Sequence, residues 1–348
     1  MKNIEVGVLG ATGMVGQQFI LQLDRHPWFS LTWLAASERS QGRSYREAAP
    51  WRLPSPIPEA IGNQQVEACV PGKGPKLIFS GLDAKVAGDI EKDFAAAGHI
   101  IVSNARNFRM DPVVPLLIPE VNPDHLVLLP RQSTVHGWKG GIVTNPNCST
   151  VFLAMVLAAL RMFEPRAVVV STLQAVSGAG YPGLSSMDIV GNVLPHIGGE
   201  EEKMETETQK ILGTFVKDRI ELHPMTVSAH TTRVPVIDGH TVTVSVKFEK
   251  APTLDELRVA FEGFTGSPQE QELPSAPKSP IVYLNAEDRP QPRLDAQRGE
   301  GMTVSIGRLR ECNVLDIRFV ALGHNTVRGA AGAAVLNAEL LYSQGLLS

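Results

Sequence analysis

Cys148 stands in Thr144-Asn145-Pro146-Asn147-Cys148-Ser149-Thr150, between a short apolar run (141–143) and a long one (149–160) with helical character. Pro146 disfavours helix before it, so the thiol falls at or near a helix N-terminus, where the dipole and free N–H groups favour a thiolate. Those N–H groups, with the Asn147 side chain, could stabilise an oxyanion on a substrate carbonyl. Cys69 and Cys312 lack such flanks and read as small core residues. A nucleophilic thiol needs a proton-transfer partner, and histidine is the natural one near neutral pH. His240 ends Arg233-Val234-Pro235-Val236-Ile237-Asp238-Gly239-His240, just before an alternating strand; His230 and His324 compete with it.

Two further groups could bind charged ligands. Gly198-Gly199-Glu200-Glu201-Glu202-Lys203 opens a helix, and its acidic first turn complements the dipole. Glu200 and Lys203 are three apart and share a face, so they could hold an ammonium and an anion of one ligand. Gly10-Ala11-Thr12-Gly13-Met14-Val15-Gly16 follows the first apolar run and precedes a helical pattern. Glycines at this junction let the backbone approach a pyrophosphate, although the GxxGxxG spacing is looser than GxGxxG. The second apolar run ends in Ala36-Ser37-Glu38-Arg39-Ser40. Arg39 between serines suits the 2′-phosphate of NADP, whereas Glu38 would suit the ribose of NAD.

The elements that must carry these residues alternate. Strand-like runs at 4–9, 31–36, 76–80 and 100–103 are separated by helical patterns such as 86–97. That order predicts an α/β fold whose N-terminal part is a Rossmann-type, doubly wound parallel sheet. After Cys148 the pattern mixes strands (167–173, 241–248, 303–308, 314–322) with helices (149–163, 198–212, and one opened by the capping box Thr253-Leu254-Asp255-Glu256). An α+β domain with a largely antiparallel sheet is expected there, then a C-terminal helix from about residue 327. The Pro-rich stretch 50–58 reads as a surface insertion and 266–280 as an exposed loop.

Composition excludes several classes. The 348 residues suggest about two domains, with 43% hydrophobic and 20% charged residues, as in a globular protein. A formal charge of −4 without a basic stripe offers nothing to nucleic acid. Three scattered cysteines make neither a disulfide framework nor a zinc ribbon, so no metal is expected. The start Met1-Lys2-Asn3-Ile4 lacks an apolar leader, and the run 151–160 is too short to span a bilayer. The expectation is a cytoplasmic protein, unless a targeting segment was removed.

Taken in order, the glycine turn, Asn147-Cys148-Ser149-Thr150, Leu173-Gln174-Ala175-Val176-Ser177-Gly178-Ala179-Gly180, Gly199-Glu200-Glu201-Glu202-Lys203 and Arg233 through His240 resemble the aspartate-semialdehyde dehydrogenases, in their archaeal and fungal branch. The resemblance covers nearly the whole length. It implies NADPH-dependent reductive dephosphorylation of L-4-aspartyl phosphate, through a thioester on Cys148, towards lysine, threonine, methionine and isoleucine. It also implies His240 as general acid/base, Gln174 beside the cysteine, Arg233 on the substrate α-carboxylate and Glu200, or a neighbouring glutamate, on the α-ammonium. Lys203, Arg109 and Asn104, the last two in Asn104-Ala105-Arg106-Asn107-Phe108-Arg109, match substrate- and phosphate-binding positions. Gly10, Thr12, Gly13, Met14, Val15, Ser37, Arg39, Ser40, Ser80, Gly81, Leu82, Ser177, Gly178 and Asn325 match positions lining NADP(H). The implied partners are the small-molecule substrate, inorganic phosphate and further copies of the chain, as a homodimer or homotetramer. The domains would be 1–148 for the nucleotide, completed by 327–348, and 149–326 for catalysis and dimerisation. A malonyl-CoA reductase-like enzyme on the same scaffold and a non-catalytic nucleotide sensor are the alternatives.

Overall fold

In the computed structural model, which describes residues 3–347, the strand-like runs of the N-terminal half form one six-stranded parallel sheet. Its strands are β1 (Ile4–Leu9), β2 (Phe29–Ala36), β3 (Val66–Ala68), β4 (Leu77–Ser80), β5 (Ile100–Ser103) and β6 (Gly141–Thr144), in the order β3-β2-β1-β4-β5-β6. The short β3 escaped the sequence reading because three residues carry no usable periodicity. Helices on both faces bury β4, β5 and β6 completely, hence their unbroken apolar character. The order reverses between β1 and β4, so the crevice for a ligand opens at the carboxyl ends of these strands.

The second sheet contains β7 (Pro165–Gln174), β10 (Thr226–Arg233), β11 (His240–Phe248), β12 (Ile281–Leu284), β13 (Val304–Glu311) and β14 (Ile317–Gly323). A hairpin of β8 (Thr214–Val216) and β9 (Arg219–Glu221) stands apart from it. The order is β10-β7-β11-β14-β13-β12. The three inner pairings are antiparallel, but β10 on β7 and β12 on β13 are parallel. The sheet is therefore mixed. The helix Glu200–Ile211 lies between β7 and β10 in the chain and lets β10 return in the direction of β7. One face packs Val168, Val170, Val242 and Val244 against the helix Cys148–Ala159, which is apolar all round and buried almost throughout. The other face leaves Val169 45% and Leu173 43% exposed.

The chain then returns to the first sheet. A π-helical turn, Val327–Ala331, leads into the helix Gly332–Ser343, whose Val335, Leu336 and Leu340 join Phe19, Ile20 and Phe79 in one core. Arg328 in this turn makes two hydrogen bonds to Glu120, at 2.9 and 2.6 Å, and both side chains are fully enclosed. Arg328 also touches the sulfur of Met155 on the Cys148 helix, so the pair ties together the segments that surround the thiol.

Residues 266–280 depart from the exposed loop expected of their composition. They contain the short helix Ser267–Glu270 and bury Leu273, while Ser275 donates from its backbone N–H to the buried Glu339. The anchors of this segment are Leu273 and scattered prolines, and its ties run to residues distant in the chain, so a Pro/Ser-rich composition gives no sign of them. The insertion at 50–58 is irregular but tied down, since Gln17 donates to the Pro50 carbonyl and accepts from the Arg52 N–H.

Glu120→Ala leaves the Arg328 charge buried and unpaired, and should cost about 3–5 kcal/mol in urea unfolding. The double substitution Glu120→Leu with Arg328→Met should recover most of that loss; a single-variant loss below about 1 kcal/mol would contradict the clamp.

Candidate active site

Both sheets deliver residues to one cleft of about 370 Å³. From the first sheet come Met14 and Val15 at the helix after β1, Leu82 after β4, Asn104, Arg106 and Arg109 after β5, and Asn147 and Cys148 after β6. From the second come Gln174, Ser177 and Gly178 after β7, Glu200 and Lys203 on the following helix, Arg233 at the end of β10 and Asn325 after β14. Strand register explains the second set. Arg233 is paired with Gln174 across β10 and β7, and Thr241 of β11 faces Leu173, which brings His240 beside Gln174. Gln174, Arg233 and His240 continue the buried face of three adjacent strands, where side chains alternate with period two.

The helix begins at Cys148, as the Pro146 argument requires, with Asn147 as its cap. The Asn147 Oδ1 accepts from the N–H groups of Ser149 and Thr150 at 3.0 and 3.3 Å. Its Nδ2 donates to Glu200 Oε2 at 2.7 Å, so this amide is already engaged and is not a free oxyanion donor. Gln174 donates to the same oxygen at 3.3 Å, and the Lys203 ammonium pairs with Glu200 Oε1 at 2.7 Å. Burial pushes the Glu200 carboxyl up, but Lys203 and the hydrogen bonds from Asn147 and Gln174 outweigh it and hold the group below its usual range.

The expectation of a thiolate stabilised by the helix start is reversed. Burial, and then the Glu200 carboxylate, push the Cys148 thiol up to about 12, against the opposing charges of Arg233 and Arg109. A helix terminus lowers a thiol pKa only while other charges and solvation leave it the deciding effect. Burial and Glu200 thus favour the thiol form of Cys148.

His240 is fully buried and lies behind the cleft wall. Its Nδ1 accepts from the Ala175 N–H at 3.0 Å, and its Nε2 has no partner. A neutral ring with this bond carries its proton on Nε2. A Cβ on Gly178 would lie 3.0 Å from that nitrogen and 2.7 Å from Arg233 Nη1, so only glycine leaves space between these groups and the cleft. Burial, Arg233 and His324 hold His240 well below the usual imidazole range. Of its competitors, His230 points to the exposed face of β10, whereas His324 is buried nearby.

The sequence reading missed several contributors. Glu207 is buried two turns beyond Glu200; it accepts from the Asn147 N–H at 2.7 Å and pairs with Arg109 at 2.9 Å. Its seven-residue spacing from Glu200 was a legible sign of a shared helical face. Gly329 packs on Cys148, where an added Cβ would meet the Cys148 Cβ at 2.7 Å. Contact across that distance in the chain has no local signature.

The nucleotide positions form a second group. Gly10 has a φ of +72°, and a Cβ there would lie 2.9 Å from the Gly81 carbonyl, so the β1 and β4 turns touch through glycine alone. Gly13 caps the helix Met14–Leu23 without a side-chain bond, leaving N–H groups free for a phosphate. Ser37 and Arg39 are exposed at the end of β2, Ser40 is buried in that turn, and Ser80 is buried with its hydroxyl unpaired. Gly10, Thr12, Gly13, Ser37, Arg39, Ser40, Ser80 and Gly81 lie outside the lining of the Cys148 cleft, along the strand ends that lead to it. Asn325 joins the groups, donating to Ser177 Oγ at 2.7 Å and accepting from the Gly239 N–H at 2.8 Å.

A doubly wound nucleotide domain opening onto a cysteine at a helix start defines a nucleotide-dependent dehydrogenase. Residues 5–129 match the model of the semialdehyde dehydrogenase NAD-binding domain, and residues 157–328 that of the semialdehyde dehydrogenase dimerisation domain. The aspartate-semialdehyde dehydrogenase of Cryptococcus neoformans is 51% identical, with 99% of this chain and 98% of that protein covered. That of Archaeoglobus fulgidus is 46% identical over 98% of this chain and 99% of its own. A crystal structure of the Candida albicans enzyme with NADP superposes with a TM-score of 0.91 at 43% identity, covering 99% of both chains. The chain belongs to the aspartate-semialdehyde dehydrogenase family.

In the ligand-free protein, iodoacetamide should modify Cys148 more slowly than a free thiol at pH 7–8, with a rate still rising above pH 9. Glu200→Gln should accelerate the reaction by removing a negative charge; an unchanged rate would show that Glu200 does not restrain the thiol.

Proposed function

We propose that the chain catalyses NADPH-dependent reduction of L-4-aspartyl phosphate to L-aspartate 4-semialdehyde and phosphate, the step towards lysine, threonine, methionine and isoleucine. The observation that carries this reading is the juxtaposition of Arg233, Glu200 and Cys148 in one cleft. Together they match a carboxylate, an ammonium and an electrophilic carbonyl on one small molecule. A malonyl thioester has no amine for Glu200, and the names of the relatives agree with the amino-acid reading.

Arg233 clamps the α-carboxylate with the fork its guanidinium provides. The substrate ammonium joins Lys203 on Glu200, adding a second positive charge beside the carboxylate that opposes the thiolate. Cys148 sulfur then attacks the acyl carbon; a C–S bond forms, the C–O bond to phosphate breaks, and the thiol proton leaves with the phosphate. NADPH, when bound, supplies a hydride to the thioester carbon. His240, through Nε2, donates a hydrogen bond to the oxygen that gains charge, and Gln174 orients the acyl group beside the sulfur. The C–S bond breaks, the aldehyde leaves, and the Cys148 thiolate takes a proton from solvent to return to the thiol.

The nucleotide fits the glycine contacts between the β1 and β4 turns and the open helix start at Gly13, with Thr12, Met14, Val15, Leu82, Ser177, Gly178 and Asn325 along its path. Ser37, Arg39 and Ser40 would take the 2′-phosphate. Residues 1–148 with 327–348 form the nucleotide domain and 149–326 the catalytic and dimerisation domain; Met1, Lys2 and Ser348 lie outside the described residues. The protein works in the cytoplasm as a homodimer or homotetramer; the family's second domain is described as a dimerisation domain, which supports self-association, and the exposed outer face of β7, with Val169, is its interface.

The test is phosphate- and NADP-dependent oxidation of aspartate semialdehyde, run beside malonyl-CoA reduction. Turnover with the semialdehyde alone is expected, and a preference for malonyl-CoA refutes the substrate assignment. Cys148→Ala should abolish turnover, and retention of substantial activity would exclude the thioester. Arg233→Lys should lose at least about tenfold in kcat/KM for the semialdehyde, since lysine cannot make the paired bonds. Val169→Asp should give a smaller species than wild type in sedimentation, and an unchanged mass would move the interface elsewhere.

A further inference from the structure

On the helix Glu200–Ile211, Glu200, Lys203, Glu207 and Lys210 follow one another at the spacing of a single face. The first three serve the cleft directly or through Asn147, whereas Lys210 is absent from the cleft lining. Its ammonium is 3% exposed and forms no ion pair with a carboxylate among the described residues. Instead, Nζ donates to the carbonyls of Arg109, Asp111 and Val114 at 2.7, 2.7 and 2.9 Å. Burial pushes this ammonium down to about 8, against the attraction of Asp111 and Glu207. A charge taken out of water is tolerated only when its hydrogens are matched, and here each hydrogen of the ammonium meets its own acceptor.

Those acceptors lie in residues 104–114, which run without helix or strand from the end of β5 past the cleft. Irregular backbone leaves carbonyls that no ladder satisfies, and Lys210 gathers them. One turn earlier on the same helix, Glu207 pairs with the Arg109 guanidinium at 2.9 Å. Arg109 is therefore held at both ends, by its carbonyl and by its side chain, from a single helix of the second domain. Two effects on the nucleophile pass through it. Its charge favours the Cys148 thiolate, and its partner Glu207 accepts from the Asn147 N–H at 2.7 Å. A shift of the 109–114 backbone would move both.

Resting on the reading above, we propose that Lys210 is a positioning residue for the reaction at Cys148: by fixing the 109–114 backbone to the helix of Glu200, it keeps the Arg109 guanidinium on Glu207 and in place beside the sulfur. The grip of Arg233 on the substrate and the contacts of the glycine turn with the nucleotide do not run through it. Loss of Lys210 therefore slows the chemical step and leaves binding of both in place.

The experiment is steady-state oxidation of aspartate semialdehyde at saturating phosphate by Lys210→Met, which keeps an unbranched stem and removes the donors. The kcat should fall roughly tenfold, while KM for the semialdehyde and for NADP stay within about twofold. Lys210→Arg should recover part of kcat, since a hollow of about 240 Å³ beside Lys210, lined by Met110, Pro112 and Ile220, has space for a guanidinium. A kcat within about twofold of wild type, a rise of both KM values in step with the fall in kcat, or an Arg variant no better than the Met variant overturns the proposal. If Lys210→Met does not fold, the same split is read from Lys210→Gln, which has fewer hydrogens than the acceptors require. Alkylation of Cys148 by iodoacetamide at about pH 8 tests the same positioning without turnover. Its rate should drop about threefold in the variant, because the thiolate loses the support of Arg109. An unchanged rate, or a faster one from a loosened cleft, overturns the proposal, whereas failure of the wild type to oxidise the semialdehyde refutes the substrate assignment alone.

Discussion

The Glu207 carboxylate is the joint on which the cleft depends. It lies on a helix of the second domain, yet one oxygen accepts from the Asn147 N–H and the other pairs with Arg109, both from the first. A buried carboxylate is tolerated only when both oxygens are matched, and here the match spans the two domains. The turn that presents Cys148 is thereby held against the helix that presents Glu200 and Lys203. Asn147 completes the joint, with its oxygen capping the Cys148 helix and its nitrogen held by Glu200.

This geometry makes the nucleophile conditional. The helix start and two arginines favour the thiolate, while burial and Glu200 oppose it and prevail. A further cation beside Glu200, added to Lys203, would offset one of the two opposing effects. Glu200, which shares the cleft with Arg233, is thus also the carboxylate that restrains the sulfur. His240 is arranged by similar means: the Ala175 N–H occupies one ring nitrogen, leaving the other as donor.

The two sheets serve the cleft differently. The parallel sheet contributes its carboxyl ends, where helix starts and glycine turns leave N–H groups free. The mixed sheet contributes the end where β7 and β10 finish and β11 begins, so a charged or polar side chain from each of three neighbouring strands reaches one point. Its inner face is filled by the apolar Cys148 helix, and its outer face keeps Val169 and Leu173 exposed.

Local sequence determined the strand–helix alternation, the helix start at Cys148 beyond Pro146, the Thr253 capping box and the glycine turn at Gly10, because each is written in residues a few positions apart. Motif order was enough to name the family, and it was the resemblance, not spacing, that singled out Gln174, Arg233 and His240. Tertiary structure alone decided the upward shift of the Cys148 thiol, the engagement of Asn147 by Glu200 and the pairing of Arg109 with Glu207. Those outcomes depend on burial and on charges distant in the chain, and solvation and Coulomb energy follow distance in space. The helix start at Cys148 was legible from its neighbours in the chain; the burial and charge that raise its thiol pKa come from neighbours in space.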